Sequence, residues 1–242
     1  MDKASCGLFY YKYDSPQPDA MTNRPAQRAC SLGVILLAAG KSSRMGRPKL
    51  LLPWNGTTVL GHLLRQWRGL KAKQIAVVCS AGGEGVWAEL DRLGVPATDR
   101  VRNPRPERGM FSSVQCAARW PGWRKEISHF AIVLGDQPHL KRSLLRRVLE
   151  FSAARAGRIC QPERRGHGRH PVILPRAQFR QLARSRARTL KSFLQARAQK
   201  VARCELNDPG LDLDMDRPAD YRRALRWAHG PAQRRQTSKR NQ

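Results

Sequence analysis

The strongest constraint on this chain is a repeated alternation of short, wholly apolar runs with longer amphipathic stretches. Val34-Ile35-Leu36-Leu37 precedes Val59 to Trp67, Ile75-Ala76-Val77-Val78 precedes Val86 to Leu93, and Phe130-Ala131-Ile132-Val133-Leu134 precedes Leu144 to Phe151. Runs without polar alternation suit strands covered on both faces, and the stretches between them suit crossover helices, so the rhythm predicts βαβ units. The expected fold class is α/β, a three-layer Rossmann-like architecture on a mostly parallel sheet. Right-handed crossovers bring the C-terminal ends of such strands to one edge, where ligands bind. Further on, Pro171-Val172-Ile173-Leu174 and Val201 to Cys204 read as strands, Thr189 to Ala196 as a short helix, and Pro218 to Trp227 as a last helix started by proline.

At 242 residues and 40% hydrophobic content the chain can bury one substantial core. The expected organisation is a loose extension over residues 1-30, a catalytic domain over residues 31-228 and a basic disordered tail over residues 229-242. The extension mixes aromatics with Pro16, Pro18 and Pro25 without any period, and Met21 within it is an alternative start. The tail, ending GPAQRRQTSKRNQ, is polar and aperiodic.

The formal charge is +28, from 46 basic against 18 acidic residues, and between Lys141 and Arg203 eighteen Lys or Arg face only Glu150 and Glu163. Such an excess attracts polyanionic ligands, and it also suits arginine spread over solvated helix faces. No aromatics are interleaved with the charges, so no nucleic-acid partner is expected. Six cysteines without a CxxC pair or a Cys/His cluster read as reduced thiols in a cytoplasmic protein. No apolar stretch reaches membrane-spanning length and the N-terminus lacks a signal-peptide pattern, so no membrane association is expected.

Three segments carry chemistry. The run VILLAAGKSSRMGRPKLLLP, Val34 to Pro53, sends a buried strand into Ala38-Ala39-Gly40 and then a loop holding Arg44, Gly46 and Lys49. Small residues let a base or ribose approach the backbone, glycine admits conformations that turn amides toward an anion, and Arg44 and Lys49 add full positive charges. Five residues separate Gly40 from Gly46 and no GK[ST] follows, so this is not a Walker loop, and GxGxxG is absent as well. Gly135-Asp136-Gln137-Pro138 follows directly on an apolar strand, which puts a carboxylate where it can reach a metal between phosphates and the sheet edge. A turn aspartate capping the next helix fits the same spacing. Leu211-Asp212-Leu213-Asp214-Met215-Asp216 alternates acids with apolar residues at strand period, which would gather three carboxylates on one face as either a magnesium site or a solvated edge.

The ordered set LAAGKSSRMGRPKLLLP, NPRPERGMFSSV, GDQP, RHPVIL and DMDRPADY, spanning roughly residues 33 to 221, resembles the molybdenum cofactor nucleotidyltransferases, in the cytidylyltransferase branch. LAAG and GDQP resemble the cytidylyl enzymes, whereas guanylyl relatives carry LAGG and GDMP. The resemblance implies a sheet of the nucleotide-diphospho-sugar transferase type and transfer of CMP from CTP to the terminal phosphate of the molybdenum-pterin cofactor, with Mg2+ as the metal. A molybdenum enzyme or its maturation factor is the implied partner. Carried over by position, Leu37, Ala38 and Ala39 meet the base, Gly40, Arg44 and Lys49 hold the triphosphate, and Ser112 and Ser113 border the nucleotide. Asp136 and Asp216 take the metal, with Asp214 in reserve, and His170 faces the acceptor. Ser112 also fits a helix start, and His170 also fits a structural role before a strand. Arg169, Arg217 and Ala219 stand where the family has glycine, threonine and glutamate, which opens the question of the acceptor. Guanylyl transfer, another phosphorylated acceptor, a nicotinamide-dependent oxidoreductase and a non-catalytic cofactor chaperone are the alternatives, and the missing GxGxxG argues against the third.

Overall fold

In the computed structural model residues 30–229 are described. The expectations for residues 1–29 and 230–242 lie outside the described residues.

The apolar runs become strands and the amphipathic stretches helices. In chain order the elements are β1 (Leu32–Leu37), β2 (Pro53–Trp54), β3 (Thr57–Thr58), α1 (Val59–Gly69), β4 (Gln74–Ser80), α2 (Glu84–Arg92) and β5 (Arg100–Asn103). Next come α3 (Met110–Arg119), β6 (His129–Leu134), α4 (Arg142–Ala153), β7 (Ile159–Arg164), β8 (His167–Gly168), β9 (Val172–Pro175), α5 (Arg176–Leu182), α6 (Leu190–Gln195), β10 (Val201–Glu205) and α7 (Pro218–His229). Local chemistry sets several helix starts: the Thr58 hydroxyl accepts from the Gly61 amide at 3.0 Å, and Thr189 and Ser192 close a reciprocal capping box on α6.

The main sheet runs β10-β7-β9-β6-β1-β4-β5, with β8 paired to β7. It is mostly parallel. β9 is antiparallel to both β6 and β7, and β8 is antiparallel to β7. Side chains of β1 alternate between two cores, as strand geometry requires: Val34 and Leu36 join Leu63, Leu64 and Trp67 of α1, while Ile35 joins Phe111 of α3 and Phe179 of α5. Helices α1, α2, α4 and α7 therefore cover one face and α3, α5 and α6 the other, giving three layers. From β1 the chain moves to β4 and β5 on one side, then returns to β6 on the other. The C-terminal ends of β1 and β6 thus flank the point where strand order reverses, and a crevice forms there.

One expectation is overturned. Residues 211–216 are not a strand: Pro209–Asp212 is a turn of 3-10 helix, and an irregular segment follows. Proline and glycine start the turn, the Asp208 carboxylate accepts from the Gly210 amide at 2.8 Å, and the Met215 amide then donates to the Asp136 carbonyl at 3.2 Å. The segment hooks onto the end of β6 instead of pairing along a ladder. Its in-and-out alternation survives, since Leu211, Leu213 and Met215 are buried, but the three carboxylates do not share one face. Asp212 pairs with Arg164 and Arg169, whereas Asp216 pairs with Arg44 and Lys49.

Candidate active site

A cavity of about 530 Å³ opens beyond the C-terminal ends of β1 and β6. Leu37, Ala38, Ala39 and Gly40 form one wall, Leu134, Gly135 and Asp136 another, and Lys49, Pro106, Glu107, Gly109, Met110 and Ser113 close it. β1 delivers the first wall because its register keeps Leu37 opposite Leu134 and Val78, and the Ala38 amide donates to the Val78 carbonyl at 2.8 Å. A Cβ built on Gly40 would meet nothing within 4 Å, so no packing neighbour fills the space beside it. The loop that follows takes left-handed conformations at Ser42 (φ 53°) and Gly46 (φ 72°), so the turn needs glycine at 46 and not at 40. The Ser42 hydroxyl accepts from the Lys49 amide at 3.1 Å and so holds Lys49 at the cavity wall.

The charged residues gather around one ammonium. Lys49 Nζ lies 2.7 Å from Asp136 Oδ2 and 3.5 Å from Asp216 Oδ1, and Arg44 Nη2 lies 2.8 Å from Asp216 Oδ2. The other oxygen of Asp136, Oδ1, is buried and has no hydrogen-bond partner. An unpaired carboxylate oxygen out of water is costly, and a cation is the partner it accepts. Asp214 lies beside this group, its Oδ1 accepting from Gln137 Nε2 at 2.8 Å; burial first and the neighbouring Asp136 second push its carboxyl above the usual range. Among the described residues no three His, Cys, Asp or Glu side chains form a ready-made ion cage. Asp136 and Asp216 are the carboxylates at this cavity that could hold a divalent ion.

Of the residues singled out by sequence, Leu37, Ala38, Ala39, Gly40, Lys49, Ser113 and Asp136 line this cavity. Arg44 and Asp216 stand beside it as an ion pair, with the Arg44 side chain 65% exposed. Ser112 is turned away: its hydroxyl donates to the carbonyls of Gly109 (2.8 Å) and Arg105 (3.2 Å) and accepts from Asn103 Nδ2 (2.9 Å), tying the loop before α3 to that helix. Asn103 Nδ2 also reaches the buried Ser113 hydroxyl at 2.9 Å.

His170 belongs to a second cavity, of about 510 Å³, with Gln161, His167, Arg169, Lys191 and Arg203. Its Nδ1 sits 3.3 Å from the Ile132 carbonyl, and removal from water pushes the imidazole below its usual range. Arg169, which stands where glycine was expected, lines this cavity and pairs through Nη2 with Asp212 Oδ1 at 2.6 Å. Met110, exposed by 40%, lines both cavities and forms the ground between them. Sequence reasoning assigned no role to Lys41, Pro106, Glu107 or Met110. Lys41 was legible from its place beside Gly40, but the others sit on an irregular turn whose direction no periodicity reveals.

Residues 34–201 match the family described as the MobA-like NTP transferase domain. The molybdenum cofactor cytidylyltransferase of Escherichia coli (strain K12) is 26% identical over 192 residues, covering 79% of this chain and 94% of that protein. The crystal structure of Rv0371c from Mycobacterium tuberculosis H37Rv is similar with a TM-score of 0.65 and 27% identity, over 81% of this chain and 98% of that one. The same Mycobacterium tuberculosis protein in complex with manganese aligns with a TM-score of 0.57 and 25% identity, again over 81% and 98%.

Proposed function

Because the chain belongs to the MobA-like NTP transferase domain family and is a nucleotidyltransferase, we propose that it moves CMP from CTP onto the terminal phosphate of the molybdenum-pterin cofactor. An acceptor phosphate oxygen bonds to the α-phosphorus of CTP, the bond from that phosphorus to the β-phosphate bridge breaks, and pyrophosphate leaves with the electron pair. The products are the cytosine dinucleotide form of the cofactor and pyrophosphate.

The observation that carries this reading is the single ammonium of Lys49 between Asp136 and Asp216 at the mouth of a cavity walled by Leu37 to Gly40. In this reading the backbone from Leu37 to Gly40 meets the base and ribose, and Lys49 and Arg44 neutralise the triphosphate. Ser113 holds the floor of the cavity through Asn103. Asp136 and Asp216 fit a magnesium ion, as the unpartnered Asp136 Oδ1 argues, and the ion would supply charge neutralisation at the phosphates. The phosphate acceptor is already an anion, so no general base is needed and the protein contributes positioning and electrostatics. The cavity around His170 suits the acceptor: Arg169, Lys191 and Arg203 line it, no carboxylate does, and it meets the nucleotide cavity at Met110. Five described cysteines are free thiols and no described helix is long and apolar enough to cross a membrane, in keeping with a reaction in the reducing cytoplasm.

Pyrophosphate release measured with magnesium, the molybdenum-pterin acceptor and each of the four triphosphates tests the assignment. CTP is expected to be turned over well above the other three. Preference for GTP would overturn the cytidylyl reading, and no release with any triphosphate would overturn this acceptor. Lys49→Ala is expected to weaken CTP binding by about tenfold or more, the loss of one charge-assisted contact to phosphate. Titration of CTP against the variant measures it, and an unchanged affinity would mean that Lys49 serves the two carboxylates alone.

A further inference from the structure

Away from both cavities lies a broad groove of about 1110 Å³, walled by the end of α3, by α5, by the loop after it and by α6. Arg180, Arg184, Arg186 and Arg197 line it, and no acidic residue does. None of the four is in an ion pair among the described residues. The local sequence contributes, because Arg176 to Cys204 holds nine Lys or Arg and no Asp or Glu, and no acid from another described segment reaches these four.

The groove is built, not loose. Gln115 Nε2 donates to the Ser185 carbonyl at 2.8 Å and Arg119 Nε to the Ala183 carbonyl at 2.9 Å, so two side chains of α3 fasten the arginine-bearing loop. Arg197 lies over the Phe193 ring at 3.9 Å, and its Nε donates to Gln181 Oε1 at 3.1 Å, which fixes one guanidinium in place. Four like charges held along one concavity repel one another, and an anionic occupant relieves that repulsion.

We propose that this groove is a docking surface for an acidic segment of a partner protein, an extended Asp/Glu-rich stretch whose carboxylates pair with the guanidinium forks of Arg180, Arg184 and Arg186. A free phosphate or pyrophosphate would engage only part of the groove's arginine surface. Nucleic acid fits poorly: a duplex is read by elements that project into its grooves, and a single strand needs exposed aromatic rings for stacking, whereas the one ring here, Phe193, is buried beneath Arg197. An extended acidic chain suits both the shape and the arginine forks. Position gives the docking a purpose. Helix α6 separates the groove from the His170 cavity, turning Ser192 and Phe193 to the groove and Lys191 and Leu194 to the cavity, and Arg197 lines the groove just past its end. A partner seated in the groove would therefore lie one helix away from where an acceptor enters or a product leaves. Binding of the partner does not depend on which nucleotide or acceptor is used, whereas its place beside the acceptor rests on the reading of the His170 cavity given above.

The test compares the full-length protein with the Arg180→Gln/Arg184→Gln/Arg186→Gln variant, using fluorescence anisotropy of a labelled glutamate-rich peptide. A single-stranded oligonucleotide and inorganic pyrophosphate serve as competitors. Saturable peptide binding that weakens with added salt is expected for the wild type, with about tenfold loss in the triple variant. Pyrophosphate release with the triphosphate that the wild type turns over should be unchanged in the variant, and an unchanged melting temperature reports that it has folded; the single variant Arg184→Glu gives a second reading with less perturbation. Equal peptide affinity in wild type and variants, or tighter binding of the oligonucleotide than of the peptide, would overturn the proposal. Loss of turnover in parallel with loss of peptide binding, in a variant that melts like the wild type, would assign the arginines to catalysis and overturn it as well.

Discussion

Asp136→Ala is expected to lower nucleotidyl transfer by at least about 10²–10³-fold while the protein remains folded. The carboxylate stands just past β6, Oδ2 taken by Lys49 at 2.7 Å and Oδ1 buried without a partner, so it has one oxygen for the lysine and one for a cation. On the proposed reading, removing it deprives the cation of a ligand, and it leaves Lys49 with Asp216 alone, 3.5 Å away. The strand itself is untouched, because Asp136 lies beyond the last ladder pair, Leu37 with Leu134. Pyrophosphate release across a range of magnesium concentrations, with the melting temperature followed in parallel, measures the effect. Wild-type rates in a folded variant would remove Asp136 from the metal and from catalysis.

Gly135→Ala is expected to damage both stability and turnover, for a reason that charge does not enter. A Cβ on Gly135 would stand 2.7 Å from the Leu37 carbonyl oxygen and 2.8 Å from Leu50 Cδ2. Leu50 can turn, but the carbonyl belongs to the backbone of the central strand at the point where it becomes the cavity wall. Relief therefore requires the ends of β1 and β6 to part, at a cost of about 1–3 kcal/mol and a melting temperature lower by roughly 2–10 °C. A shift near 1 Å between the Leu37 wall and Asp136 would lower turnover by about 10²-fold. Thermal unfolding and steady-state rates measured on the same preparation would show the two losses together. An unchanged melting temperature with wild-type turnover would mean that the strand ends yield freely.

The apolar runs were legible because burial on both faces of a parallel sheet leaves no polar positions to confuse the period. For the same reason β5 went unread: its sequence Arg-Val-Arg-Asn buries only Val101 and Asn103, too little apolar signal for an edge strand. At β7 the sequence showed only a β-like run about Cys160, because Pro162 and the polar residues of the strand obscure its length, although Gln161 and Arg164 are buried. The acids at 211–216 misled in the opposite direction. Alternation of Leu, Leu and Met with Asp follows from one-sided burial, which a strand produces and which a segment hooked across the sheet edge produces equally well.

The order of residues in this chain settled the layered α/β architecture, the placement of Leu37 to Gly40 and of Asp136 at the ends of strands, and the concentration of arginine between Arg176 and Cys204. These follow from periodicity and position, which are local properties. Folding in three dimensions settled the rest: that Lys49 bridges Asp136 and Asp216, that Asp212 leaves them for Arg164 and Arg169, that Ser112 faces its own loop, and that the arginines after α5 surround a groove. Each of these depends on which side chain from a distant segment arrives first to satisfy a charge or a hydrogen bond. That competition is decided by the packing of whole elements and leaves no period in the chain.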